Sequence, residues 1–339
     1  MAAADHSASP FSMGNSNAGL PAPPSTDSSP VPTDLNRPVL VQWAFNVTQP
    51  GLDQRLMDHL LTWVQTEERT RIQQFMFDKD RRLALVGRIL MRCFLFHYCR
   101  AIDHSTLEET HPSPTRWWDV QLTRSAHNKP IINSAAATKL APTTRQALLD
   151  LRFNLSHHGN WVIFVAGRAA ALGVDVSRIE PPRHESVSDF FSYMTEQFTP
   201  FEWACIQRSP DPRIQLAQFH RFWCLKESFV KAKGVGLNLD LQRIEFHRVA
   251  PLIVTDDDHT VVINNTETNI SVTLDGHAQP SWHFLLTAFD SEHPVAIAYI
   301  DDLQNSDQAI SLGAQMQFRQ ITPTHICSWI PGLSMQGME

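Results

Sequence analysis

Cysteine is scarce in this sequence and never occurs as a CxxC pair. The 339 residues include five cysteines, which is an odd number. Structural zinc sites and disulfide frameworks both draw on paired or closely spaced cysteines, so the sequence predicts neither kind of site. Because unpaired cysteines are typical of a reducing compartment, we expect a cytoplasmic protein.

Targeting and membrane-spanning signals are also missing. The longest apolar stretches, such as residues 161–166, fall far short of the ~20 residues that a membrane helix needs. Residues 1–36 contain no lysine or arginine, which argues against a mitochondrial transit peptide. No basic region followed by an apolar core is present either, so secretion is not expected. The sequence predicts a protein without a membrane partner.

Basic residues are fewer than acidic ones. There are 28 lysines and arginines against 35 aspartates and glutamates, which gives a net charge of −7. Binding of nucleic acid by general electrostatics needs the opposite balance, so no nucleic-acid partner is expected. With 42% hydrophobic and 19% charged residues, the composition is that of a globular protein of one large domain or two modest ones.

Several catalytic fingerprints are absent. There is no GxxxxGK[ST] loop, no GxGxxG sequence, no GxSxG elbow, and no HExxH spacing among the 16 histidines. Phosphate-binding loops, dinucleotide-binding folds, serine-hydrolase elbows and metalloprotease helices therefore lack support. The candidate chemistry has to come from other residues.

Composition and periodicity divide the chain into four regions. Residues 1–36 are rich in Ser, Pro and Ala, and their small apolar surface predicts a disordered lead. An N-terminal lobe is expected over 37–168 and a C-terminal lobe over 169–301, while 302–339 form a tail that the pattern leaves unassigned. The order strands, helices, strands, helices, strands predicts an α+β fold in one compact body. Predicted helices cover 67–77, 80–98, 187–206 and 215–233, a shorter one lies near 144–151, and the predicted strands cover 39–45, 153–160, 161–166, 170–177, 244–247, 260–263, 270–274, 282–288 and 295–300.

The predicted helix that ends at Gly234 carries the most chemistry. Glu227 and Lys231 are four residues apart and therefore lie one turn above each other on one face. The simplest interpretation is an exposed salt bridge. Because Lys226 and Lys233 add further cations around the carboxylate, a phosphate-bearing ligand with a divalent metal held by Glu227 is the sharper hypothesis.

Three other segments offer polar groups. Asp175 ends a buried strand, which suits either a turn former or a metal ligand. Adjacent strand residues point to opposite faces, so Ser156 and His157 are not expected to form a nucleophile–base pair, and hydrogen bonding or phosphate contact is favoured. The loop 124–130 holds two cations and would, taken alone, be a plain surface turn.

Taken in order, these four segments resemble the 4′-phosphopantetheinyl transferases of the Sfp type. The family pattern is a [GN]KP loop, an N-[IL]-S-H strand, a G-[IV]-D-[IV] strand and a W-x-x-K-E-[SA]-x-x-K helix. The resemblance extends over roughly residues 39–250 and is greatest with the animal members of the family. The matching segments are Asn128-Lys129-Pro130, Asn154-Leu155-Ser156-His157, Gly173-Val174-Asp175-Val176 and Trp223–Lys231.

The resemblance implies a fold and a reaction. The fold is a pair of similar α/β lobes related by a pseudo-twofold axis, with coenzyme A in the cleft between them. The reaction moves the 4′-phosphopantetheine arm of coenzyme A onto a serine of an apo carrier domain, requires Mg²⁺ and releases 3′,5′-ADP. The implied carriers belong to fatty-acid synthase, polyketide or nonribosomal peptide synthases, and aminoadipate reductase. We expect a monomer.

The resemblance also implies roles for individual residues. Asp175 and Glu227 match the magnesium ligands, and Glu227 is also the candidate base for the carrier serine. Lys231 matches the lysine that neutralises the diphosphate, which completes the catalytic set. The residues expected to contact coenzyme A, besides Asp175 and Lys231, are Arg71, Arg124, Ser125, Ala126, His127, Asn128, Lys129, Asn154, Leu155, Ser156, His157 and Lys226.

Some points stay open at this stage. Many bacterial members carry a third acidic ligand where this sequence has Ser177, so a serine hydroxyl or water is left for that position. Arg82 and Arg88 are not assigned to any ligand contact. Two rival functions use the same residues: a non-catalytic module that binds coenzyme A or a carrier, and a metal-dependent phosphohydrolase.

Overall fold

The computed structural model describes most of the two expected lobes. Most of the predicted disordered lead lies outside the described residues, as do Ala126 and His127, so those expectations are not tested. Within the described chain, no helix combines the length and the apolar character needed to cross a membrane. The described ranges are 30–32, 41–105, 114–125, 128–236, 239–254, 261–262, 266–301 and 318–333.

The architecture is a mixture of helices and several sheets, as the α+β prediction required. The α-helices of the described residues are α1 (Gln54–Leu60), α2 (Thr66–Gln73), α3 (Asp78–Ser105), α4 (Ser134–Ala137), α5 (Pro142–Asp150), α6 (Val187–Tyr193), α7 (Pro200–Ile206), α8 (Pro212–Lys233) and α9 (Pro323–Trp329). The strands are β1 (Val41–Asn46), β2 (Leu122–Arg124), β3 (Pro130–Ile132), β4 (Arg152–His158), β5 (Trp161–Gly167), β6 (Ala169–Val176), β7 (Ile244–His247), β8 (Ile253–Val254), β9 (Val261–Val262), β10 (Ser271–Leu274), β11 (His277–Ala278), β12 (Trp282–Ala288), β13 (Pro294–Asp301) and β14 (Arg319–Gln320).

Two sheets form the centre of the molecule. The first has the strand order β14-β1-β5-β4, and the second has the order β12-β13-β6. Every residue of β5 is buried, as expected for an apolar run without alternation. One apolar cluster fills the space between β5 and the second sheet. Helices α1, α3 and α9 cover a second cluster on the outer side of the first sheet, and α6, α7 and α8 cover a third cluster on the second sheet.

Several predicted helix boundaries are wrong. The helix predicted over 67–77 ends at Gln73, and α3 is longer than the predicted 80–98. The helix predicted over 187–206 is two helices, α6 and α7. The break lies at Thr199, whose side chain accepts a hydrogen bond from the Glu202 amide, and at Pro200, which lacks an amide donor. A capping residue followed by proline therefore starts a new helix.

Residues 318–333, part of the tail that the pattern left unassigned, return to the first lobe. Strand β14 pairs in parallel with β1, and α9 belongs to the core that α3 covers. The indole of Trp329 stacks on that of Trp43, with ring centroids 4.8 Å apart. Both side chains are buried, so this contact closes the core of the first lobe.

Helix α8 has clear signals at both ends. The Asp211 side chain accepts a hydrogen bond from the Arg213 amide, and Pro212 occupies the first turn. Gly234 has a φ of 70° and ends the helix, as the sequence predicted. The helix packs closely against β6 and β13 and carries Glu227 and Lys231.

Candidate functional site

Side chains rather than a backbone ladder join β4 to β6. The Asn154 Oδ1 atom accepts a hydrogen bond from the Val174 amide at 3.3 Å. The Ser156 Oγ atom accepts one from the Val176 amide at 3.4 Å. Asn154 and Ser156 alternate along β4 and share one face, which is why both reach the same neighbouring strand. These contacts place Asp175 beside β4.

Asp175, Ser156 and Lys231 form a hydrogen-bonded cluster. The Lys231 ammonium donates to Asp175 Oδ1 at 2.5 Å and to Ser156 Oγ at 3.1 Å, and the Ser156 hydroxyl donates to Asp175 Oδ1 at 2.8 Å. Asp175 is only 6% exposed, and a carboxylate at that depth needs a charged partner. Three segments that are distant in the chain therefore meet here.

Glu227 faces the same site from α8. Its pKa is raised, first by burial and second by the Asp175 carboxylate, while the Lys231 ammonium opposes the rise. Because a like charge raises a carboxyl pKa only at short range, Glu227 and Asp175 share one electrostatic environment. Among the described residues, no hydrogen bond or ion pair engages the Glu227 carboxylate.

This pair of carboxylates suits a small divalent cation. Mg²⁺ prefers oxygen ligands and usually takes one or two carboxylates together with waters and phosphate oxygens. Over the part of the chain that the structure describes, no three acidic, histidine or cysteine side chains converge as a metal site. Asp175 and Glu227 are the two carboxylates of this site that could hold such a cation, and the Glu227 carboxylate has no competing hydrogen bond among the described residues.

Ser177 is engaged elsewhere. Its hydroxyl is hydrogen bonded to His220 Nδ1 at 2.7 Å. Burial lowers the pKa of His220 to about 3, so the imidazole stays neutral. The buried Ser177 hydroxyl therefore already has one hydrogen-bond partner, on the side of the imidazole.

The β2–β3 hairpin approaches α8. The Arg124 guanidinium donates to the Asn128 carbonyl at 2.7 Å, and Asn128 has a φ of 60°, a conformation that asparagine tolerates. The Ser125 hydroxyl accepts from the Lys129 amide. The Lys129 ammonium donates to the Lys231 carbonyl at 3.2 Å, so the hairpin adds a cation beside the cluster.

A second cationic group lies between α2, α3 and the hairpin. The Arg88 Nε atom is 3.4 Å from Glu68 Oε1. Burial lowers the pKa of Arg88 to about 10; the Glu68 carboxylate opposes this shift, and the positive charges of Arg124 and Arg71 add to it. Arg71, Arg88 and Arg124 therefore lie within electrostatic range of one another, and the Glu68 carboxylate is already shared between Arg88 and Arg92. The excess positive charge suits a phosphate. Arg71 and Arg124 were expected in the site. Arg88 was left unassigned because seven arginines occur along these two helices and their spacing does not single it out.

Two residues of the N-[IL]-S-H segment differ in their surroundings. His157 reaches the surface, and its pKa is lowered, first by desolvation and second by the Lys231 ammonium, so the ring lies near the cluster. Leu155 packs into the core of the first lobe, close to Gly87 of α3. Its partly buried side chain therefore contributes to the packing between β4 and α3.

The structure corrects the prediction for Lys226. Its ammonium is fully buried, 2.7 Å from Glu202, and it donates to the carbonyls of Leu241 and Ile244. All three of its donors are used, so it is not available for a phosphate. Lys233 also turns away from Glu227 and lies over the rings of Phe229 and Trp282.

A pocket of about 590 Å³ opens beside Glu227. Its walls come from the segment that follows α6, from α8 and from the segment before β7. The lining contains three carboxylates and neither lysine nor arginine. The lining residues are Glu196, Gln197, Glu227, Val230, Gly236, Leu239, Asp240, Leu241 and Gln242.

Gly173 allows β6 to touch α8. A Cβ atom there would lie 2.1 Å from the Ser228 carbonyl oxygen and 2.5 Å from the Ala232 amide, both backbone atoms of α8. We predict that Gly173→Ala lowers the free energy of unfolding by about 2 kcal/mol or more, because overpacking forces the helix off the strand. Urea unfolding measures this loss.

Gly87→Ala is the matched control for that substitution. A Cβ at Gly87 would meet only the terminal methyl groups of Leu155, at 3.1 Å. A flexible side chain yields more easily than backbone, so the loss should be clearly smaller than at Gly173. Equal stability of Gly173→Ala and the unsubstituted chain would contradict the described contact.

Two family models match the chain. Residues 49–169 match the model described as 4′-phosphopantetheinyl transferase, N-terminal. Residues 171–298 match the model described as the 4′-phosphopantetheinyl transferase superfamily. The first range includes Arg71 and Ser156, and the second includes Asp175, Glu227 and Lys231.

Curated relatives agree with the family models. The L-aminoadipate-semialdehyde dehydrogenase-phosphopantetheinyl transferase of Rattus norvegicus is 33% identical over 235 residues, which are 69% of this chain and 66% of that protein. The protein of the same name from Xenopus laevis is 31% identical over 280 residues, or 82% of each chain. The 4′-phosphopantetheinyl transferase Sfp of Bacillus subtilis is 26% identical over 190 residues, which are 56% of this chain and 69% of that protein.

Proposed function

Because the chain belongs to the 4′-phosphopantetheinyl transferase superfamily, we propose that it transfers the 4′-phosphopantetheine arm of coenzyme A to a serine of apo carrier domains. The reaction breaks the diphosphate and releases 3′,5′-ADP. The observation that carries the proposal is the meeting of Asp175, Lys231 and Glu227 at one site. These residue types can hold a cation, offset phosphate charge and accept a proton.

The three residues divide the chemistry, and Glu227 has two parts in it. Glu227 takes the proton of the carrier serine, since its carboxylate has no other partner among the described residues and a positioned base typically contributes ~10²–10⁴ in rate. Lys231 lies where it can neutralise charge that develops on the diphosphate. Asp175 and Glu227 would hold Mg²⁺, which when bound polarises phosphoryl oxygens as a Lewis acid.

The charged residues around the site fall into a basic group and an acidic group. Arg71, Arg88, Arg124 and Lys129 supply the cations that a phosphate-rich ligand needs, so we assign coenzyme A to this basic group, in a cleft between two related lobes. The pocket beside Glu227 has three carboxylates in its lining. It suits the serine-bearing segment of the carrier better than a diphosphate.

The relatives' names suggest one carrier. The animal relatives are named for aminoadipate-semialdehyde dehydrogenase, and we propose that this protein modifies such a carrier and also carriers of fatty-acid, polyketide or nonribosomal peptide synthases. We propose further that it acts as a monomer in the cytoplasm. All five cysteines are free, in keeping with a reducing compartment.

The decisive experiment mixes the purified full chain with coenzyme A, Mg²⁺ and each of several apo carrier proteins. The proposal predicts that intact-protein mass spectrometry finds a mass increase of one phosphopantetheine arm on the carrier, together with 3′,5′-ADP. Omission of Mg²⁺ with excess chelator should stop the increase. A carrier whose acceptor serine is replaced by alanine is the control.

Two other outcomes would reject the proposal. Release of a phosphate-bearing product from coenzyme A without any carrier would indicate a phosphohydrolase. Binding of coenzyme A or carrier without any change in mass, across the whole panel, would indicate a non-catalytic module.

A further inference from the structure

Lys226 and Glu202 form an ion pair without access to solvent. The Lys226 Nζ atom is 2.7 Å from Glu202 Oε2, and both side chains are 0% exposed. The ammonium also donates to the carbonyl oxygens of Leu241 at 2.6 Å and Ile244 at 2.8 Å. Each of its three donors therefore has an acceptor.

The Glu202 carboxylate also accepts hydrogen bonds from two backbone amides. Glu202 Oε2 accepts from the Thr199 amide at 2.9 Å, and Oε1 accepts from the Phe246 amide at 3.0 Å. The first contact belongs to the N-terminal turn of α7 and the second to β7. Together with Lys226, the pair joins α7, α8 and residues 241–246.

The elements joined in this way surround the catalytic site. Lys226 immediately precedes Glu227 on α8. A shift of the Lys226 side chain would therefore move the helix turn that carries the proposed base, Glu227. Leu241, whose carbonyl binds the Lys226 ammonium, lines the pocket that Glu227 also lines. The ion pair therefore connects the base to the opposite wall of the pocket.

Stability alone does not account for such a pair. Removing two charges from water costs several kcal/mol per ion, and well-packed apolar residues of similar volume often stabilise a core as well or better. What the charges add here is a set of directed hydrogen bonds to backbone groups in three elements. Those bonds define the distance between α8 and the 241–246 segment.

We propose that Lys226 and Glu202 are positioning residues, which hold Glu227 and the 241–246 wall at the separation that admits the carrier's serine segment. The inference rests on the proposed function and extends it. Both side chains are 0% exposed, so neither would contact coenzyme A. Loss of the pair should therefore impair use of the carrier and spare the affinity for coenzyme A.

The test compares Lys226→Met with Lys233→Met in the full-length chain. Lys233 is exposed on the same helix and outside the site, so it receives the same substitution without loss of the pair. We expect Lys226→Met to lower kcat/KM for an apo carrier by at least tenfold. The Kd for coenzyme A, measured by calorimetry, should stay within about twofold of the unsubstituted chain.

A conservative pair of variants separates positioning from folding. Lys226→Arg keeps the charge and the donors, and should recover activity to within severalfold. Glu202→Asp keeps the charge but shortens the reach to Phe246, and should raise the KM for the carrier even where Lys226→Met does not fold. Thermal unfolding establishes that each variant compared is folded.

Two results would overturn the inference. One is that folded Lys226→Met or Glu202→Asp shows the carrier kinetics of Lys233→Met. The other is that the affinity for coenzyme A falls in step with carrier turnover, which would make Lys226 part of the ligand site. Carrier modification by the unsubstituted chain is measured before any variant is compared. If that chain modifies no carrier, the proposed function fails, and the result does not bear on the roles of Lys226 and Glu202.

Discussion

Replacing Glu227 by glutamine should lower kcat for carrier modification by about 10³-fold, the largest loss expected from a single substitution. Two effects combine. Glutamine cannot accept the serine proton, and a positioned base contributes ~10²–10⁴ in rate. It also removes one of the two carboxylates proposed to hold Mg²⁺, whose charge stabilisation is worth several kcal/mol. Initial rates of carrier mass increase at saturating coenzyme A measure the change.

The same variant should keep its binding functions. Glutamine has nearly the shape of glutamate, and the Glu227 side chain has no hydrogen bond among the described residues that would be lost. We therefore expect unchanged thermal unfolding and carrier affinity within severalfold. Glu185→Gln, at an exposed position after β6, is the control and should behave as the unsubstituted chain. Turnover of Glu227→Gln within tenfold of that control would remove Glu227 from the catalytic set.

Replacing Asp175 by asparagine should lower kcat/KM by about 10²–10³-fold. The loss of one anionic ligand weakens a metal interaction of several kcal/mol, and each ~1.4 kcal/mol corresponds to tenfold in rate. Asparagine keeps an oxygen for Ser156 and Lys231 but lacks the charge that pairs with the ammonium. Raising the Mg²⁺ concentration should recover part of the rate, because the metal site is weakened rather than abolished.

Metal affinity gives a readout of Asp175 that does not depend on turnover. Titration of Mn²⁺, followed by its paramagnetic effect on water relaxation, should show weaker binding to Asp175→Asn than to the unsubstituted chain. The fold should survive, because the Lys231 side chain is 29% exposed and can be hydrated when its partner is lost. Asp275→Asn, at an exposed ion pair with Arg243, is the control. Equal Mn²⁺ affinity in both variants would contradict the assignment of Asp175 as a ligand.

The order of strands and helices could be inferred largely from local pattern. The apolar run of β5 and the glycine stop after α8 each depend on neighbours within a few residues, so they can be recognised from the sequence alone. The break between α6 and α7 was also legible, since Thr199 and Pro200 form a helix start. It was missed because the apolar spacing continues across the break.

The sequence also indicated which residues belong to the candidate site, but it did not indicate how they come into contact. Asp175, Ser156, Glu227 and Lys231 were selected by motif and by resemblance to a family. Their contacts depend on two side-chain hydrogen bonds between β4 and β6 and on the close approach that Gly173 permits. No spacing along the chain specifies either feature.

Lys226 and Arg88 show where sequence reasoning reaches its limit. By composition both are cations near acidic residues, and the motif placed Lys226 with the ligand. In the structure, Lys226 pairs with the buried Glu202, while Glu68 holds Arg88 within electrostatic range of Arg71 and Arg124. The sequence by itself determined which elements form and which residue types can do the chemistry, because those properties are local. Only the tertiary structure decided which charged side chains lie together at the site and which are paired inside the core, because that depends on the partners that packing brings to each side chain.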